Sequence, residues 1–116
     1  MKTFLAIYNG TPTSMAKWND LSEAEQAKRQ QEGIAAWHAW VEKHKDVIVD
    51  IGAPLGTTKR VSVSGIVDVS NNLTGYTLVK AESHIAAAKL FENHPHFTIF
   101  PGDDVEVMEC LPIPSI

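Results

Sequence analysis

The sequence has a single cysteine, Cys110, so no disulfide can form within the chain. Secreted proteins of this size commonly carry paired cysteines, which favours a reducing, cytoplasmic location here. Long apolar runs are also missing, because the N-terminal stretch 4–8 is far too short for a signal-peptide core or a membrane span. We therefore expect a cytoplasmic protein without a targeting segment or a membrane partner.

Positive charge is scarce as well. Ten Lys and Arg residues stand against 14 Asp and Glu residues, giving a formal net charge of −4. Neutralising nucleic-acid phosphates requires clustered Lys and Arg, so the balance argues against a nucleic-acid partner.

The sequence does have the material for one well-packed domain. Its 116 residues are 44% hydrophobic, and a chain of this length can bury about two-thirds of its unfolded surface. We expect a single domain over residues 1–116.

Hydrophobic periodicity predicts the order β-α-β-β-β-α-β. Ser22 and Glu25 form a capping-box pattern that starts the first helix, and Ser83 is placed to cap the second. Residues 9–14 read as a loop, and Ile85 and Phe91 are expected to pack inwards from the second helix. The predicted strands cover residues 2–8, 47–51, 60–68, 76–81 and 105–111.

This order predicts an α+β fold, a ferredoxin-like split βαβ with two helices on one face of an antiparallel sheet. The third strand is either an additional strand or an elongated hairpin. The other sheet face would remain bare, and we place Phe4, Val79 and Val107 on it. An apolar face of that size favours a homodimer with face-to-face sheets.

Several segments make the chain resemble the YCII-related family, also called the DGPF-domain family. The resemblance covers most of the length and rests on the order and spacing of residues 1–8, 50–55, 75–83, 86–90, 94–95 and 105–107. It implies a small dimeric α+β barrel protein with a site built from His and Asp. The motif Asp-Gly-Pro-Phe is absent, since residues 67–72 stand in its place, and Met108 follows Glu106-Val107 where an arginine is usual. If that motif or that arginine helps to bind substrate in the family, this protein binds a different ligand or none.

His38 is the first candidate site residue. A helical wheel centred on Ile34 puts it on one apolar stripe with Ala27, Trp37, Val41 and His44. An imidazole there could act as a general base, or it could be a hydrogen-bonded core histidine. The resemblance favours a histidine on this helix as part of the site.

Asp50 is the second candidate, because it interrupts a strand that is expected to be buried. A buried carboxylate needs a partner. Asp50 could orient a histidine or accept a proton, or it could cap the backbone amides of the turn 52–55.

His94 is the third candidate, in the segment His94-Pro95-His96 just past a helix end. Two imidazoles are too few for a usual metal site, and no carboxylate or cysteine completes the set, so no metal or cofactor is expected. His94 could instead interact with the helix dipole. The resemblance supports a site role for His94 over His96.

Two functions remain open at this stage. One is a cofactor-free lyase or isomerase in which His38, Asp50 and His94 move protons on a small organic substrate. The other is a dimer that binds a metabolite or regulates a partner without catalysis. The tryptophans, Trp18, Trp37 and Trp40, are read mainly as packing residues, with an aromatic pocket wall as the alternative.

Overall fold

The computed structural model describes residues 1–115. It contains six strands and four helices over that range. They are, in chain order, β1 (Lys2–Asn9), α1 (Pro12–Asn19), α2 (Glu23–His44), β2 (Ile48–Pro54), β3 (Thr58–Ser62), β4 (Gly65–Val69), β5 (Leu73–Ala81), α3 (His84–Lys89), α4 (Pro95–Thr98) and β6 (Asp104–Glu109).

Four strands form one antiparallel sheet in the order β2-β5-β1-β6. The central strand β1 pairs with β5, where Leu5 faces Leu78, and with β6, where Ala6 faces Val107. The predicted α+β class, with helices against an antiparallel sheet, is confirmed.

The helices cover the sheet face that carries Phe4, Ala6, Tyr8 and Val79, all of which are buried. We expected Phe4, Val79 and Val107 on the bare face, and this is wrong, because Phe4 and Val79 are fully buried and Val107 packs against the core. Apolar residues occupy both faces of β1, so the alternation could not tell which face the helices cover. The face without helices carries the remaining apolar positions of these strands: Leu5, Ile7, Tyr76, Leu78 and Met108.

Helix α2 begins as predicted, with the Ser22 hydroxyl accepting the Glu25 amide at 3.1 Å. Its buried side lies roughly 110° around the helix from Ile34, on which the predicted stripe is centred. Gly33 and Trp40 are buried, whereas Ile34 is 46% exposed. The cause is Phe100, whose ring lies where a Gly33 side chain would be, so Gly33 is a packing position.

Two short helices were not predicted. Residues 12–14 were read as loop, yet Thr11 caps α1 and Pro12 occupies its first turn, a position where proline's fixed φ favours the helix. His94 and Pro95 repeat the same arrangement at α4. In the second predicted helix, Phe91 is buried as expected, but Ile85 is 65% exposed.

Strands β3 and β4 form a hairpin separate from the main sheet. The stretch 60–68 was predicted as a single strand or an elongated hairpin, and the turn before Gly65, which has φ +107°, makes it the hairpin. The molecule measures 56 × 42 × 18 Å, and its radius of gyration is 16.2 Å. A compact chain of this length would have about 13 Å, so the hairpin projects from a thin two-layer body.

Within residues 1–115, no helix combines the length and apolar character needed to cross a membrane.

Candidate functional site

A cavity of about 340 Å³ opens between the sheet and helix α2. Strands β1, β2 and β5 form its floor and one wall, and the segment around α4 forms the other wall. Most of its lining is apolar or aromatic. The lining residues are Tyr8, Ile34, Trp37, Ile51, Gly52, Ala53, Pro54, Thr74, Gly75, Tyr76, His94, His96 and Phe100.

The β2 wall is shaped by a bulge at Gly52. The register between β2 and β5 shifts between Asp50 and Ala53, and Gly52 has φ +77°. A Cβ at Gly52 would lie 1.7 Å from the Tyr76 carbonyl oxygen, so only glycine fits. The Asp50 carboxylate accepts the Gly52 amide at 2.9 Å and holds this turn in place.

His94 forms the innermost polar group of the cavity wall. As the N-cap of α4, it accepts the His96 backbone N–H at Nδ1, at 3.0 Å. Its side chain is 1% exposed. Tyr8 stacks on the imidazole with ring centroids 5.2 Å apart, and Trp40 meets it edge-on at 4.8 Å.

Nε2 of His94 has no hydrogen-bond partner, alone among the buried side-chain nitrogens and oxygens of residues 1–115. Leaving a buried polar atom unpaired costs about 1–3 kcal/mol. Native structures leave few buried polar atoms unpaired, and each such atom calls for an explanation. His94 is one of the residues that line the cavity, so this unpaired atom is a candidate ligand contact.

Burial, with smaller contributions from nearby His96 and His44, lowers the pKa of His94 to about 4. Both neighbours carry positive charge when protonated, so neither stabilises a cation at His94. The His94 imidazole is consequently neutral throughout the physiological pH range.

His96 lines the same cavity, and its ring centroid lies 5.2 Å from that of Tyr8. Its Nε2 lies 2.8 Å from the Asn9 carbonyl oxygen. A carbonyl oxygen only accepts hydrogen bonds, so Nε2 of His96 carries a proton. Nδ1 of neutral His96 then keeps a free lone pair.

The Tyr8 hydroxyl already has a hydrogen-bond partner, Thr77. Thr77 donates its hydroxyl to the Ile51 carbonyl at 2.9 Å, so the Tyr8 hydroxyl, 2.6 Å away, donates to Thr77. Burial raises the pKa of Tyr8 to about 12. Tyr8 is therefore an uncharged wall residue that braces the sheet.

The structure does not gather the three predicted site residues. Only His94 lies at the cavity. His38 is exposed on α2 and is not one of the lining residues among positions 1–115, so the prediction that it faces the core is wrong, for the reason given for the helix stripe. Asp50 is also exposed, and the prediction that it is buried is wrong, because the wall it belongs to is an edge strand. Its hydrogen bond with the Gly52 amide corresponds to the alternative role, in which Asp50 caps the turn 52–55.

Sequence reasoning underrated three wall residues. His96 was considered chiefly as a metal ligand, Trp37 as packing, and Tyr8 as a strand residue. The sequence signal for His96 was the segment His94-Pro95-His96. A proline that follows an N-cap histidine starts a helix there and puts both imidazoles in one turn. Across the described part of the chain, no cluster of three His, Cys, Asp or Glu side chains is arranged to hold a metal ion.

Comparison with known proteins finds similarity among solved structures. No family model matches the chain, and no curated protein does either. Among solved structures, the chain is similar to 5-chloro-2-hydroxyhydroquinone dehydrochlorinase (TftG) from Burkholderia phenoliruptrix AC1100, whose structure is a complex with 2,5-dihydroxybenzoquinone. The TM-score is 0.53 and the identity 20%, over 90% of this chain and 89% of that chain. This likeness shows a shared α+β fold.

Proposed function

We propose that the protein is a small, cofactor-free enzyme of lyase or isomerase type, in the YCII-related family, acting on a small organic molecule. The observation that carries the proposal is the pair of imidazoles at one apolar cavity. His94 has a buried, unpartnered Nε2, and His96 has a free Nδ1. Most other lining groups are apolar, and such cavities with few polar groups are typical binding sites for small molecules.

His96 is the base in this proposal. Its Nε2–H is held by the Asn9 carbonyl, which leaves Nδ1 to take a proton from a carbon next to a substrate carbonyl. The electron pair of the broken C–H bond moves onto the carbonyl oxygen. In an isomerase, His96 returns the proton to another carbon. In a lyase, the electron pair returns from the oxygen to form a carbon–carbon double bond. The leaving group departs with its own bonding pair, and the proton taken up by His96 is released with it.

The cavity walls favour a flat ligand. Trp37, Tyr8 and Phe100 contribute aromatic rings to the lining, and aromatic rings pack well against planar conjugated molecules. The similarity in fold to a dehydrochlorinase that was solved with a quinone agrees with this choice of substrate class. A cavity of about 340 Å³ accommodates a single substituted ring.

A ligand panel tests the proposal. The purified protein is incubated with hydroxylated and chlorinated benzoquinones and hydroquinones, beginning with 2,5-dihydroxybenzoquinone, while absorbance, chloride release and melting temperature are followed. We expect turnover or a raised melting temperature, both abolished by Trp37→Ala and kept by Trp18→Ala, which lies outside the cavity. Stabilisation without turnover would identify a metabolite-binding protein instead, and no response to any compound would contradict the proposal.

The same proposal includes a homodimer. The sheet face without helices exposes Met108 and half-exposes Leu5, Ile7, Tyr76 and Leu78. The hairpin adds Val61, Val63 and Ile66, which are 74%, 108% and 68% exposed. A two-stranded hairpin is marginally stable alone, and apolar patches of this extent are unusual on a monomer. A second copy related by twofold symmetry covers both surfaces.

A further inference from the structure

We infer that His94 is a neutral hydrogen-bond donor, held in its Nε2–H tautomer by the cap of α4, and that the cavity therefore selects planar ligands presenting an anionic or carbonyl oxygen. This inference rests on the proposed small-molecule site and assigns the role of His94 within it.

The tautomer follows from one hydrogen bond. The His96 backbone N–H points at Nδ1 of His94 at 3.0 Å, and a backbone amide can only donate. Nδ1 must therefore present its lone pair. In a neutral imidazole, the remaining proton then lies on Nε2.

The same bond excludes His94 as a base at Nε2. Nε2 could accept a proton only in the tautomer that already bears one on Nδ1, and the ring would then become a cation. Either state would set a proton on Nδ1 against the His96 N–H and remove the cap of the helix. The lowered pKa of His94 agrees with this.

The surroundings of His94 further oppose the cation. Its neighbours on the packed elements are Tyr8 of β1, Trp40 and His44 of α2, Phe91 after α3, and His96 of α4. The titratable members of this set are a neutral phenol and two imidazoles. None supplies negative charge to an imidazolium.

An unpartnered donor next to a cavity is suited to an oxygen that gains negative charge. Hydrogen bonds to anionic oxygens are about twice as strong as neutral ones. They strengthen further in a site that excludes water. Enolates, phenolates and quinone oxygens have the required chemistry, whereas ligands that carry only donors or only alkyl groups leave Nε2 unpaired.

Two substitutions separate the donor from the cap. In His94→Asn, the amide oxygen replaces Nδ1 as the acceptor at the N-cap, a position that asparagine favours, while the donor at Nε2 is lost. In His94→Gln, the longer amide can put an N–H near the Nε2 position but loses the cap. The donor role predicts that Gln preserves ligand selectivity and that Asn preserves the helix.

The first measurement is the nitrogen-15 NMR spectrum of the wild-type imidazoles between pH 5.5 and 8. We expect an unprotonated Nδ1 and a protonated Nε2 at His94, unchanged over the range. A protonated Nδ1 would overturn the inference, whatever the enzyme does.

The second measurement compares two probes, 4-nitrophenolate and 4-nitroanisole, which share a ring but differ in the anionic oxygen. In His94→Asn, the affinity for 4-nitrophenolate should fall about ten- to a hundredfold. The affinity for 4-nitroanisole should stay within about twofold of wild type, and His94→Gln should restore part of the phenolate affinity. Equal losses for both probes, or no binding of the phenolate to wild type, would overturn the inference. Failure of the quinone panel alone would remove the proposed reaction and leave the donor assignment standing.

Discussion

Pro95 determines much of the behaviour of His94. Proline at the first helical position starts α4 there and makes the preceding histidine the cap. The cap then commits Nδ1 and leaves Nε2 facing the aromatic surroundings without a partner. One dipeptide thus sets the position, the tautomer and the charge of the main polar group in the cavity.

The neutral state of His94 predicts that stability falls in mild acid. The unfolded chain takes up a proton near the ordinary pKa of 6.5, whereas folded His94 resists protonation until about pH 4. The unfolded state therefore binds more protons across this window, and the free energy of unfolding declines by about 3 kcal/mol as pH falls from 6.5 to 4. Urea unfolding at several pH values measures it.

His94→Asn is the matched control for this pH dependence. It retains the cap but has no titrating ring, so its stability should change less over the same window. Carboxylates titrate in both proteins, so the difference between the two curves isolates His94. Parallel curves would contradict the lowered pKa of His94.

At the scale of elements, the bulge of β2 shapes the cavity through Gly52. Gly52→Ala introduces a Cβ that overlaps the Tyr76 carbonyl and a side chain at positive φ. We expect a loss of at least about 2 kcal/mol in the free energy of unfolding, together with lost ligand binding. Chemical denaturation and the probe titration measure the two effects.

Gly56→Ala serves as the control for Gly52→Ala. Its Cβ would meet nothing within 4 Å, and its φ is not positive. Its stability should remain within about 0.5 kcal/mol of wild type. Equal effects at the two glycines would show that the bulge does not hold the wall.

Periodicity predicted most of the elements because it reports burial, and burial governs long strands and helices. It predicted the strand over residues 2–8, and the capping pattern at Ser22 predicted the start of α2, where a local capping bond sets the boundary. Periodicity misplaced the buried side of α2, because that side is set by the ring of Phe100 lying over Gly33. This contact joins residues 67 positions apart. His38 was misplaced for that reason.

The candidate site was only partly predictable for a related reason. His94 could be singled out as a candidate because its dipeptide with proline carries local information. Asp50 was identified as a site residue, although its carboxylate forms a turn bond with Gly52. Trp37 and His96 line the same cavity only because α2 packs on the sheet, and the pattern of neither segment encodes that packing.

For the whole molecule, the open sheet face and the projecting hairpin predict a dimer. Light scattering at micromolar concentration should give about twice the 12.7 kDa monomer mass. Leu5→Glu puts a charge between Leu78 and Met108 on the open face and should yield monomers. Ala35→Glu, on the exposed side of α2, should remain dimeric. A monomeric wild type would contradict the dimer.

The central claim is that the cavity beside His94 binds a small planar molecule. The NMR signals of the tryptophan indole N–H groups test it most directly. Trp37 lines the cavity, Trp40 is tied to the Leu90 carbonyl at 2.8 Å, and Trp18 lies elsewhere on the surface. On titration with 4-nitrophenolate, the Trp37 signal, assigned by its loss in Trp37→Phe, should shift saturably while the Trp18 signal stays in place. A shift confined to Trp18, or no shift at Trp37 under conditions that saturate binding, would contradict the account.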